Sequence, residues 1–216
     1  MMHETEDIEQ ERSRLSHGPA SQDAPPVLCA FDLRTSCPVD AFGLRVRSVL
    51  DPALHLALSQ PFEGDDLPVG GIPDWFVAVG RGGTGPVPDF AARGRERYTA
   101  AFGQGPWDVQ EWLYQFDPES EFRGWAWWHL TRSGDRQARI WVDSWGESFF
   151  ACDELRWLTY VSGAEDVSGP ALVRSAALVI PEPSHPVARE GPGPGVGGCP
   201  HPRAAARRMG GGTREK

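Results

Sequence analysis

A chain of 216 residues with a formal net charge of −9 has room for one domain of ordinary size plus tails. Its acidic balance repels phosphate backbones, which excludes nucleic acid as the main partner of the folded part, and no apolar run reaches the length of a membrane span. Cys29, Cys37, Cys152 and Cys199 show no C-x-x-C spacing and the acidic N-terminus lacks a signal-peptide layout, so free thiols in a reducing cytoplasm are expected.

Charge and composition divide the chain. Residues 1–26 are polar and acidic, and Ile8 and Leu15 offer too little apolar surface to organise a helix. Residues 181–216 are rich in proline, glycine and arginine and cannot bury enough surface to offset chain entropy. Both ends are expected to be disordered, leaving a single folded domain over 27–180. Lysine occurs once, at Lys216, so arginine carries nearly all the basic charge, a bias that fits a GC-rich bacterial genome.

Within the domain, Val27 to Leu33 reads as a buried strand. Phe42 to Val49 alternates apolar and polar residues, the period of a half-exposed strand. Leu54 to Leu58 repeats the pattern and reads as a second strand, although Asp51 as N-cap with Pro52 at the first helical position would equally start a short helix. Pro61 to Pro73 is a loop by composition, and Trp75 to Val79 reads as a short strand. Helices are expected over 90–102 and from Gly105-Pro106 to Phe116. In the second, Asp108 and Glu111 suit the first turn, and Val109, Trp112, Leu113 and Phe116 form the apolar stripe. A hairpin follows: 124–131 and 139–144 flank the turn composition of 133–137. Ser144-Trp-Gly-Glu147 satisfies the capping-box pattern, so the last helix is expected to start there and end at Gly163. Residues 171–173 and 176–180 could supply a final strand. The resulting fold class is α+β, a mainly antiparallel sheet of five to seven strands with two or three helices.

Eight of the nine tryptophans fall between Trp107 and Trp157. With Leu130 opposite Ile140, one hairpin face holds Ala126, Trp128, Leu130, Ile140, Val142 and Ser144. The other collects Trp125, Trp127, His129, Trp141, Asp143 and Trp145. The helix after the hairpin should cover the aliphatic face, leaving tryptophans to anchor a partner or stack on a ring. His129 and Asp143 sit on a diagonal of that face, where a carboxylate could fix the imidazole tautomer for general-base work, with Glu147 beside them.

Other motifs are weaker. Gly80-Arg-Gly82-Gly-Thr-Gly85 fits the dinucleotide glycine pattern, yet Pro86-Val-Pro88 keeps it from opening into a helix, so a surface loop is the better reading. Val142-Asp-Ser144-Trp-Gly146 lacks the first glycine of a nucleophile elbow. Cys152, flanked by Phe149, Phe150 and Leu155, reads as a small buried hydrophobe. Arg93, Arg95 and Arg97 would spread around a solvated helix. Cys199-Pro-His201 gives two ligands in a tail, which is not a metal site, and no cofactor is implied.

Two functions follow from these residues. The first is a cytoplasmic binding protein that offers Trp125, Trp127, Trp141 and Trp145 on an acidic domain to a protein partner, in the manner of immunity proteins that neutralise basic toxins. The second is a hydrolase or transferase acting on a ring-bearing small molecule, with His129, Asp143 and Glu147 as its catalytic group.

Overall fold

Four strands form one antiparallel sheet in the order β2-β3-β1-β4. They are β1 (Val27–Thr35), β2 (Ala126–Arg132), β3 (Gln137–Asp143) and β4 (Ala164–Arg174). The computed structural model describes residues 5–20, 23–64, 66–120 and 123–178. Among these residues lie six helices: α1 (Thr5–His17), α2 (Val39–Ser59), α3 (Asp74–Val79), α4 (Asp89–Phe102), α5 (Val109–Leu113) and α6 (Asp153–Val161). None of the helices found there is long and apolar enough to cross a membrane. The expected C-terminal tail lies outside the described residues.

The chain is α+β, with fewer strands and more helices than its patterning suggests. Residues 42–49 and 54–58 are not strands but parts of α2. Their alternation coexists with a helical stripe, and the stripe wins because it buries Phe42, Val46, Val49, Leu50, Ala53, Leu54 and Ala57 on one side. Leu44, which the strand reading placed inside, is exposed. Pro52 sits within the helix, where a lost backbone bond is offset by burial on either side of it. Trp75 to Val79 is likewise helical, entered from Pro73 and burying Phe76, Ala78 and Val79. The final strand starts at Ala164, earlier than expected, and gives way to a 3₁₀ turn at Ser175–Ala177.

Three expectations are met. β1 covers its predicted span, α4 starts one residue early, and α5 continues as a 3₁₀ turn to Phe116. Asp108 caps α5, accepting from the backbone N–H groups of Gln110 and Glu111 at 2.8 and 3.4 Å.

Helices cover one face of the sheet. There Cys29, Phe31, Leu33, Trp127, Ile140 and Val142 join α2, α5 and α6 in the main core. The opposite face carries a smaller cluster of Leu28, Ala30, Trp128, Trp141 and Leu178.

The N-terminal segment is no tail between Thr5 and His17. Ile8, Glu11 and Leu15 form a buried stripe, its centre occupied by a carboxylate instead of a methyl group. Acids in its first turn and Arg14 and His17 in its last suit the helix dipole. An ion pair from Arg12 to Asp51 at 2.7 Å fastens α1 to α2.

Candidate functional site

The hairpin register is the expected one at its centre, with Leu130 opposite Ile140, but a bulge at Trp128 reverses the sidedness of the residues before it. Trp127 pairs with Val142 and His129 with Trp141, so Trp128 is the extra residue. Trp125 and Trp127 therefore turn into the main core, while Trp128 joins Trp141 on the far side. The predicted single tryptophan face does not form. Trp125, Trp127 and Trp141 are all buried, which removes them from any surface in this conformation.

β2 is an edge strand, and α1 closes it. Trp127 donates its backbone N–H to the Glu11 carboxylate at 2.6 Å, and its carbonyl accepts from Arg14 Nε at 3.2 Å. Two side chains one turn apart thus supply the bonds that a neighbouring strand would otherwise make. The Arg14 guanidinium then lies 4.5 Å from the centre of the Trp128 ring.

Behind this contact opens a cleft of about 550 Å³, within the range of ligand sites, between α1, the segment after it and the ribbon. Asp7, Arg14, Asp23, Trp128, Asp143 and Trp145 line it. Burial lowers the Arg14 pKa, against the pull of Glu11 and Asp143. Burial also raises the Asp143 carboxyl, opposed by the Trp145 N–H and by Arg14. A cavity holding convergent groups whose ionisation is perturbed in this way is a functional-site candidate.

The rim of the cleft is a tight turn. Glu147 N–H donates to the Ser144 carbonyl at 2.9 Å, and Ser144 Oγ donates to the Glu147 carbonyl at 2.7 Å. Trp145 N–H donates to Asp143 Oδ1 at 2.8 Å. The capping-box pattern is thus satisfied by a turn, and the helix begins instead at Asp153. Trp145 lies at φ +52 and Gly146 at φ +83; among the described residues no other non-glycine residue has positive φ. A tryptophan in that region costs on the order of 1–2 kcal/mol. Trp145 is 38% exposed and Phe149, farther along the same loop, is 94% exposed.

His129 shares a face with Asp143, but no hydrogen bond joins these two described residues. Burial and the charge of Arg47 lower the histidine pKa, the reverse of what a carboxylate partner would do. Glu147 is exposed in the turn, not one turn into a helix. Ser144 is buried with its hydroxyl committed, and burial pushes the Cys152 thiol up to about 11. The Gly80–Gly85 loop follows α3 rather than a strand and meets Pro86 before the next helix. Among the described residues no three of His, Cys, Asp and Glu gather as metal ligands.

Sequence reasoning missed Asp7, Arg14 and Asp23, all of which it assigned to a tail, and it placed Trp128 on the aliphatic side. The spacing of Glu11 and Arg14 within an apolar i, i+7 pair was the available signal.

Asp143 gives the cleft a pH signature. Between the ordinary carboxylate pKa and its raised value, the folded chain keeps a proton that the unfolded chain has released. The stability this group contributes is full in acid and is lost as pH climbs through that window. Asp143→Asn keeps an acceptor for Trp145 but cannot ionise. Its stability advantage over the wild type, from urea midpoints between pH about 3.5 and about 7, should therefore grow with pH. A difference that stays flat contradicts the assignment.

Compared with known proteins, the chain matches no family model, no curated protein and no solved structure.

Proposed function

We propose that this chain is a binding protein whose working surface is the α1 cleft and the loop 144–150 at its rim, and whose partner is a basic protein. The observation that carries this reading is Trp145, kept at positive φ by hydrogen bonds on both sides and half-open at the cleft mouth, with Phe149 standing out beyond it. Strain of this kind persists where the surroundings impose it, and aromatic anchors of this size dominate protein interfaces. Asp7, Asp23 and Asp143 outnumber Arg14 in the lining, so the cleft favours a cationic side chain, consistent with the net charge of −9.

Of the four tryptophans expected to bind, Trp145 remains the contact residue. Trp125, Trp127 and Trp141 support the ribbon from within. A basic protein captured with the wild-type chain should lose more than about 2 kcal/mol of affinity by calorimetry when Trp145→Gly and Phe149→Ala are combined. Glycine suits the positive φ, so the fold is preserved and the anchor alone is lost. Unchanged affinity in the doubly substituted chain would overturn the proposal.

The raised carboxyl of Asp143 inside the cavity favours one further reading, an enzyme on a ring-bearing small molecule with Asp143 as the acid–base group, His129 lying outside the cleft lining. Asp143→Asn should then abolish turnover while leaving occupancy of the cleft intact.

A further inference from the structure

A second concavity, of about 290 Å³, lies between the start of α2 and the outer face of α4. Its lining is basic although the chain is acidic: Arg45, Arg93 and Arg97 converge on it, with Asp89 as the acid among the lining residues. The alternating arginines of α4 are thereby divided. Arg93 and Arg97, one turn apart, face this hollow, and Arg95 lines a different one.

Arg45 is held from three directions. Its guanidinium carbon is 3.7 Å from the centre of the Phe90 ring, and its Nη1 donates to the Ser162 carbonyl at 3.1 Å. The same nitrogen stands 3.5 Å from Cys37 Sγ. Arg93 and Arg97 are less committed. Their nearest carboxylate oxygens, on Asp89 and Glu165, are 3.7 and 3.6 Å away, beyond hydrogen-bond length. Neither guanidinium makes a hydrogen bond among the described residues, so their donors point at water or at a ligand.

One arginine fixed by stacking and two with spare planar donors make a receptor for a tetrahedral oxyanion. We propose that this hollow binds a phosphate group, with Arg45 as the preset contact and Arg93 and Arg97 closing over the exposed oxygens. The site is independent of the cleft and of the partner reading above. The half-buried Cys37 thiol borders it and can report on its occupancy, whereas Cys29 and Cys152 are buried.

The test compares alkylation of Cys37 by iodoacetate and by iodoacetamide, followed by peptide mass spectrometry on the full chain. The rate ratio cancels accessibility and nucleophilicity, which both reagents share, and isolates the field at the sulfur. That ratio should exceed the ratio for N-acetylcysteine by about tenfold, the scale on which a charged concavity concentrates a counter-ion. Inorganic phosphate should lower it more than chloride of equal ionic strength. Arg93→Gln with Arg97→Gln should abolish phosphate binding by calorimetry and remove the phosphate dependence of the ratio, which falls but stays above the free-thiol value because Arg45 remains 3.5 Å from the sulfur. A ratio equal to that of the free thiol, or protection by chloride matching that by phosphate, would overturn the site.

Discussion

Glu11→Ala should destabilise the fold by about 3–5 kcal/mol, the scale for removing one member of a buried ion pair. Glu11 and Arg123 are 1% and 3% exposed. The carboxylate accepts from both Arg123 Nη1, at 3.1 Å, and Arg123 Nη2, and from the Trp127 N–H at 2.6 Å. Arg123 is sandwiched in turn, its guanidinium 4.3 Å from the Trp125 ring centre and 4.6 Å from that of Phe116. Truncating the glutamate deprives a buried guanidinium of the carboxylate that accepts from both its Nη atoms and takes the Glu11 acceptor away from an edge-strand amide. Replacing Glu11 and Arg123 together by methionine should cost less than Glu11→Ala, because no unpaired guanidinium is left. The cost is not nothing, since the Trp127 amide still loses its Glu11 acceptor and buried Glu154 loses a favourable charge. Urea unfolding of the three variants measures these differences. Hydrogen exchange at the Trp127 amide locates the change, since opening of α1 exposes the edge of β2. A loss under about 1 kcal/mol for Glu11→Ala would show that α1 is not what closes the sheet.

The same ion pair explains why α1 was invisible in the sequence. Its stripe is Ile8, Glu11, Leu15, and a carboxylate at the middle position reads as a solvated face unless its partner is known. That partner, Arg123, lies 112 residues away. Local patterns served well where one period dominated, as in β1, α4, and α5 with its Asp108 cap. They failed over 42–58, where apolar residues satisfy both the period of 2 and the period of 3.6. The choice there was made by how much surface each arrangement buries against the sheet, a tertiary quantity.

The candidate site was legible in part. Asp143 and Trp145, two of the expected site residues, do line the cleft, whereas residues 144–147, expected to open a helix, form a turn instead. Its assignment to a capping box failed because a serine and a glutamate three residues apart close a turn as readily as they cap a helix. The face assignments failed at a single residue. Pairing of Leu130 with Ile140 was right, yet the bulge at Trp128 inverted all that precedes it, since one inserted residue exchanges the two sides of a strand. No local signal distinguishes that bulge from regular pairing. Its consequence is that the Trp127 ring enters the main core while its edge amide reaches Glu11 of α1.

Gly94→Ala should cost about 3 kcal/mol, although helix propensity alone would make it stabilising by about 1 kcal/mol. Gly94 lies inside α4, where a Cβ would come 2.0 Å from the carbonyl oxygen of Tyr160, 2.5 Å from its carbonyl carbon and 2.7 Å from Val161 Cα. These neighbours are the backbone of α6, so no rotamer change relieves the overlap and the two helices must move apart. That separation loosens the aromatic contacts between them, where Tyr98 stands 5.3 Å from Trp157 and 6.3 Å from Tyr160. Gly105→Ala provides the control, for nothing lies within 4 Å of its would-be Cβ. It should shift stability by no more than about 0.5 kcal/mol. Urea midpoints and the near-ultraviolet circular dichroism of the tryptophans read both effects. If Gly94→Ala unfolds at the wild-type midpoint or above it, helix propensity outweighs steric overlap here, and the close contact of α4 with α6 is not what sets the packing of this side of the molecule.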